Sequence, residues 1–190
     1  KGTSIANFMR KYNVKKNLLV DENFCQIEDY DFSLLLDDSS SMNDKKNSFF
    51  TKWESNKNII TILFEFINIL NQGSVDLWFL NRDSILQNSD IENLNKSLSL
   101  IPFGRTSLDN KLKNIFNSYR NSSKKKYIII ISDGLSTNIN GKNKLSNLKK
   151  VLKERDSNKF NIVFVLSDCN EKIKKIKLKN LFYIDPFHNL

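Results

Sequence analysis

Residues 127–131 read Tyr-Ile-Ile-Ile-Ile, the most apolar strand-like run in the chain, and Ser132-Asp133-Gly134 stops it at once. So short an apolar run, rich in β-branched residues and bounded by turn formers, reads as a strand covered on both faces. Residues 32–36, apolar except for Ser33, form a second such run, cut off as sharply by Asp37. Strands covered on both faces demand helices on both faces. Phe50, Trp53, Ile60, Leu63, Ile67 and Leu70 predict a long helix over 48–70, closed by Asn71, Gln72 and Gly73. Helical patterns recur over 90–98, 107–119, 144–155 and 171–177, and strand patterns over 75–80, 161–166 and 181–184. After a turn at Asn81, Arg82 and Asp83, residues 84–87 read as a short antiparallel edge strand. This alternation predicts an α/β fold: a doubly wound, mainly parallel, Rossmann-like sheet with one antiparallel edge strand and helices on both faces.

With 190 residues, 39% hydrophobic content and 14 Phe, the chain suits one core. Residues 1–30 read as a helical lead-in packing on a domain spanning 31–190. Thr3 caps a helix that places Ile5, Phe8, Met9 and Tyr12 at helical spacing, and a second apolar segment runs through Leu18, Leu19 and Phe24. No stretch approaches ~18 consecutive apolar residues, so no membrane span is expected. The sequence opens on Lys1 rather than Met, which leaves a leader or a neighbouring domain open. Cys25 and Cys169 lie far apart without CxxC spacing, and His188 is the only histidine. That pattern argues against zinc and for free thiols in a reducing compartment, so a cytoplasmic, intracellular location is the expectation.

The formal charge of +9 raises the question of nucleic acid. However, 25 Lys accompany only 5 Arg, beside 27 Asn, a bias that AT-rich coding produces without any ligand. Readers of bases and phosphates favour the Arg fork, and apart from 124–126 and 172–179 the lysines are scattered. The composition therefore argues against specific nucleic-acid binding, and the 172–179 run reads as a solvated face. Trp53, Trp78 and Phe66 read as core, and a monomer is the expected state.

In an open parallel sheet, ligands collect beyond the carboxyl ends of the strands. The first strand runs into Asp37-Asp38-Ser39-Ser40-Ser41-Met42 and the strand at 127–131 into Asp133-Gly134. If those strands are neighbours, Asp37 and Asp133 face each other, and a hard divalent cation with oxygen ligands is the natural neutraliser.

Asp37-x-Ser39-x-Ser41-Met42, Gly104-x-Thr106 and Asp133-Gly134 resemble, in order and spacing, the metal-ion-dependent adhesion site of von Willebrand factor type A domains. Trp53-Glu54, the segment from Asp76 to Asn81 and Tyr183-Ile-Asp-Pro186 look like an intracellular branch of that family seen in eukaryotes and large DNA viruses. The resemblance covers about residues 31–190. It implies that Ser39, Ser41 and Thr106 touch a metal through hydroxyls, with Asp37 and Asp133 acting directly or through water. The metal would be Mg²⁺, with Mn²⁺ or Ca²⁺ as alternatives. It also implies an open coordination position for an Asp or Glu of a partner protein, with Asp38, Arg105 and Ser107 at the rim. Ser40 and Arg105 replace glycines of the family pattern; Arg105 would restrict its loop or pair with an acidic partner.

Two other readings compete with this one. Asp37-Asp38 after a first strand occurs in Mg²⁺-dependent phosphoryl-transfer enzymes, but Ser39 stands where those need a second carboxylate. No P-loop, Gly-x-Ser-x-Gly elbow or usable His base accompanies it, so no catalytic residue is expected. A ribonucleoprotein or nucleic-acid-associated type A protein would need its lysines gathered on one face.

Overall fold

In chain order the elements are α1 (Gly2–Lys11), β1 (Tyr30–Leu36), a 3₁₀ turn (Ser40–Asn43), α2 (Lys52–Leu70), β2 (Val75–Phe79) and α3 (Ile91–Ser99). There follow α4 (Leu108–Ser118), β3 (Lys125–Ser132), α5 (Leu145–Glu154), β4 (Phe160–Leu166), α6 (Glu171–Lys174) and β5 (Leu181–Ile184). This computed structural model describes residues 2–12, 30–70, 75–83, 85–105, 107–134, 145–166 and 171–184. The apolar segment at 18–24, both cysteines, His188, Thr106 and the Asp185-Pro186 pair lie outside the described residues.

The five strands pair in the order β2-β1-β3-β4-β5, all parallel. β1 and β3 are neighbours from Tyr30 opposite Lys125 to Leu36 opposite Ile131, which meets the condition for Asp37 and Asp133 to face each other. Alternate residues divide the core into two layers. Phe32, Leu34, Leu36, Ile129 and Ile131 pack with Trp53, Ile60, Phe64 and Ile67 of α2 and Leu94 of α3. Leu35, Ile128, Ile130, Ile162 and Phe164 face the other way, against Leu112 and Ile115 of α4 and Leu148 and Leu152 of α5. Each fully buried Leu, Ile or Phe contributes about 1.5–3 kcal/mol over leaving it in water. The expected doubly wound Rossmann-like sheet is therefore present. Trp53 and Trp78 are core residues, each 4% exposed. The lead-in helix packs on α2, with Phe8 and Phe66 ring centroids 5.2 Å apart.

Two expectations need correction. The antiparallel edge strand at 84–87 reduces to one bridge, Leu86 with Leu77, closed by backbone bonds of 2.9 and 3.1 Å. Asn88 then adopts a left-handed φ of 47°, and beyond it Ser89 N donates to Val75 O at 2.9 Å. The long helix starts at Lys52, not at 48. Thr51 and Glu54 form a reciprocal cap: Glu54 Oε2 accepts from Thr51 N at 2.8 Å, and Thr51 Oγ1 accepts from Glu54 N at 3.1 Å. Residues 45–51 instead fold back as a small hairpin, bridged between Lys45 and Thr51. Asn47 Oδ1 accepts from both Phe49 N and Phe50 N in its turn. Phe50, expected on the apolar face of the helix, is 54% exposed.

Candidate functional site

From β1 the chain crosses by α2 to β2 on one side, and β3 flanks β1 on the other, so the connections diverge above the carboxyl ends of β1 and β3. The pairing carries Asp37 across that gap: its N–H donates to Ile131 O at 2.9 Å. Asp37 is 1% exposed; its Oδ1 accepts from Ser39 N at 3.0 Å and its Oδ2 from Ser132 Oγ at 2.5 Å. Burial pushes its carboxyl up to about 6. The Ser132 and Ser39 hydrogen bonds oppose that rise and the Asp133 charge adds to it.

The 3₁₀ turn brings Ser41 back over this carboxylate. Ser39 Oγ and Ser41 Oγ are 3.1 Å apart, and Ser41 Oγ donates to Asp133 Oδ1 at 3.3 Å. Four of the five expected ligand residues, Asp37, Ser39, Ser41 and Asp133, thus gather in one place. The fifth, Thr106, falls outside the described residues. Its loop is nevertheless fastened to the turn: Ser40 N donates to Gly104 O at 3.0 Å, Phe103 N to Asp38 O at 2.8 Å, and Asn43 Nδ2 to Pro102 O at 2.8 Å. Gly104 holds φ +81°, and a Cβ there would come within 2.6 Å of Asn81 Cγ. A glycine is required at that point.

The residues expected at the rim separate. Arg105 is exposed, and Ser107 is half-buried at the N-cap of α4, where its Oγ accepts from Asn110 Nδ2 at 3.1 Å. Asp38 lies beneath the site rather than at its rim, at 0% exposure. Its Oδ1 accepts from Asn81 N at 2.8 Å, and Arg82 Nε sits 3.0 Å from its Oδ2. That last contact is out of line for a hydrogen bond, so it is an ion pair. Burial pushes the Asp38 carboxyl above its ordinary range, against the Asn81 bond and the Arg82 charge.

Three residues escaped the sequence reading. Lys52, first residue of α2, places Nζ 2.8 Å from Asp133 Oδ2, with side-chain exposures of 18% and 6%. Arg82 bridges Asp38 to Ser97 O at 2.9 Å and lies 4.1 Å above the Phe79 ring. Asn56, one helical turn after Lys52, is fully buried, and neither side-chain polar atom has a hydrogen-bond partner among the described residues. The Thr51-x-x-Glu54 capping box was the available signal for Lys52, since it puts that side chain at the first helical position.

The donor set fits a hard divalent cation. Every candidate ligand is oxygen, from carboxylates and hydroxyls, the set that Mg²⁺, Mn²⁺ and Ca²⁺ take. Among the described residues no group of three or more His, Cys, Asp or Glu side chains forms a metal cluster, so hydroxyls would have to supply part of the coordination. The charges point the same way: Arg82 pairs with Asp38, and the cluster already draws a cation, the ammonium of Lys52, to Asp133.

No family model matches this sequence, and no curated protein matches it. Among solved structures it is similar to the ArnB paralog VWA2 from Sulfolobus acidocaldarius, at 18% identity and a TM-score of 0.49. That likeness covers 83% of this chain and 41% of the other, so this chain spans less than half of that protein. So distant a likeness carries no weight; the α/β, Rossmann-like fold rests on the strand order and register of the molecule itself. No helix among the described residues is long and apolar enough to cross a membrane.

Proposed function

We propose that this chain is a von Willebrand factor type A module that binds a divalent metal, Mg²⁺ foremost with Mn²⁺ or Ca²⁺ as alternatives, and uses it to grip an acidic side chain of a partner protein. The observation that carries this reading is the convergence of Asp37, Ser39, Ser41 and Asp133 at the divergence of β1 and β3. Ser39 and Ser41 would offer hydroxyl oxygens, joined by Thr106, while Asp37 and Asp133 would bind directly or through water. A divalent ion with so few charged ligands supplies a residual positive charge that an incoming carboxylate can meet. The protein's own groups prepare that encounter. Ser132 and the Ser39 amide orient Asp37, the loop bonds at Ser40, Phe103 and Asn43 hold the two ligand loops together, and Arg82 balances Asp38 so that its charge does not compete. The reading assigns no catalytic step: the hydroxyls of Ser132 and Ser41 donate to Asp37 and Asp133, which it gives to the metal.

Titration calorimetry and thermal melts in Mg²⁺ and in EDTA test it. Saturable binding is expected, with a melting temperature that rises with metal, because a ligand held only by the folded state stabilises it by about 2.7 kcal/mol at a hundredfold excess over Kd. Ser39→Ala and Asp133→Ala should each abolish binding with the circular dichroism spectrum retained. Superimposable melts at millimolar Mg²⁺ would remove the metal from the mechanism and leave Asp133 to its ion pair with Lys52.

A further inference from the structure

The loops that hold the site also carry most of the exposed large apolar side chains. Among the described residues eight such side chains are exposed, and five are Phe49 at 85%, Phe50 at 54%, Leu100 at 54%, Ile101 at 78% and Phe103 at 53%. All five sit on two segments that are hydrogen-bonded to residues 38–44. The hairpin bearing Phe49 and Phe50 is closed at its base by Lys52 N donating to Asp44 O at 2.9 Å, and Lys52 itself reaches Asp133. Residues 102–104 bond directly to Asp38, Ser40 and Asn43. Single exposed apolar residues call for no explanation, but this concentration beside a polar, charged cleft does. The same segments carry Lys45, Lys46, Lys52 and Arg105 against one acid, Asp44.

We infer that these residues form an apolar collar around the site, and that its occupant is a protein segment presenting one Asp or Glu flanked by aliphatic or aromatic side chains. The carboxylate half of this specificity rests on the proposed function; the apolar half stands on the collar alone. A purely acidic segment would leave the collar in water, and a purely apolar one would bring no carboxylate to the proposed metal position. Only the combination covers both, with exposed aromatics supplying anchors at low entropy cost.

The probe is a phage-displayed library of random short peptides panned against the whole chain in Mg²⁺, followed by a synthetic peptide of the enriched sequence titrated by fluorescence polarisation. The expected consensus is an acidic residue between apolar ones. The Phe49→Ser, Ile101→Ser double variant should lose affinity on the order of tenfold or more, with melting temperature and Mg²⁺ affinity unchanged, since both side chains are exposed and neither is a candidate ligand. Failure to enrich any sequence, a consensus without apolar flanks, or equal affinity in the double variant would overturn the collar. So would phosphatidylserine vesicles that sediment the wild type but not the double variant while no peptide binds, which would make the surface a membrane contact. If the double variant loses the peptide while Ser39→Ala and EDTA leave it bound, the collar stands and the metal bridge falls. The opposite pattern keeps the metal bridge and sinks the collar.

Discussion

Lys52 and a divalent cation would both be drawn to Asp133, and that competition is the residue-scale consequence of the geometry. The ammonium is 2.8 Å from Asp133 Oδ2 and mostly withdrawn from water, where a charge pair is stronger than on an open surface. Metal binding would have to release Lys52 or share the carboxylate with it. Replacing Lys52 by Met, which keeps the aliphatic stem and removes the charge, should therefore tighten Mg²⁺ by about tenfold, equivalent to 1.4 kcal/mol. In EDTA the same variant should lose on the order of 1–2 kcal/mol, less than a fully buried pair because Lys52 keeps some contact with solvent. Titration calorimetry and chemical denaturation read the two effects separately. An unchanged Mg²⁺ affinity would mean that Lys52 and the metal do not share Asp133.

At the scale of elements, the site depends on loops tied to one another above a rigid sheet, and its two glycines carry unequal shares of that work. Gly104 turns its loop with φ +81° against the Asn81 side chain and presents its carbonyl to Ser40 N. Alanine there has neither the conformation nor the space, so Gly104→Ala should cost about 1–3 kcal/mol and loosen the bond to the 3₁₀ turn. At Gly134 an added Cβ would meet nothing within 4 Å, and Gly134→Ala should stay within about 0.5 kcal/mol of wild type. Thermal melts of the two variants side by side check the contrast; equal effects would show that the Gly104 turn is not what holds the loops in register. The Thr51–Glu54 cap has a comparable consequence, because starting α2 at Lys52 both sends that side chain to Asp133 and leaves the preceding hairpin free to carry Phe49 and Phe50 outward.

Across the whole molecule, charge is handled differently at the two ends of the sheet. At the amino-terminal end Lys126, 3% exposed, pairs with Asp76 at 3.1 Å and lies over the Tyr119 ring, whose hydroxyl donates to Asp76 at 2.5 Å. At the carboxyl-terminal end Asp37 and Asp133 instead meet Lys52 beside loops that carry exposed side chains. Burial pushes the Tyr119 hydroxyl up and that of Tyr183 up to about 12. The folded form then keeps protons that the unfolded chain releases near 10, so this stability is complete below about pH 10 and is lost as pH rises towards 12. Lys126, whose ammonium burial pushes down, works in the opposite direction below about 10.5. Tyr183→Phe should flatten the alkaline fall in melting temperature, and an unchanged slope would place the loss elsewhere.

What the sequence determined by itself was whatever follows from local pattern. Short apolar runs marked the buried strands, and because a carboxylate follows each run, Asp37 and Asp133 could be named before their strands were known to touch; Ser39 and Ser41 followed from the resemblance to the type A metal site. Tertiary structure decided what depends on partners distant in the chain. Asp38 is as acidic in sequence as Asp37, yet Arg82, brought in by the end of β2, holds it beneath the site. Lys52 looks like any surface lysine until the helix cap and the β1–β3 pairing set it against Asp133, 81 positions away. Phe50 fits a helical stripe until Asn47 turns the chain and exposes it. Hydrophobic periodicity is a property of neighbours along the chain and can be read from it, but the pairing of charges and the covering of loops are set by the distances that folding creates.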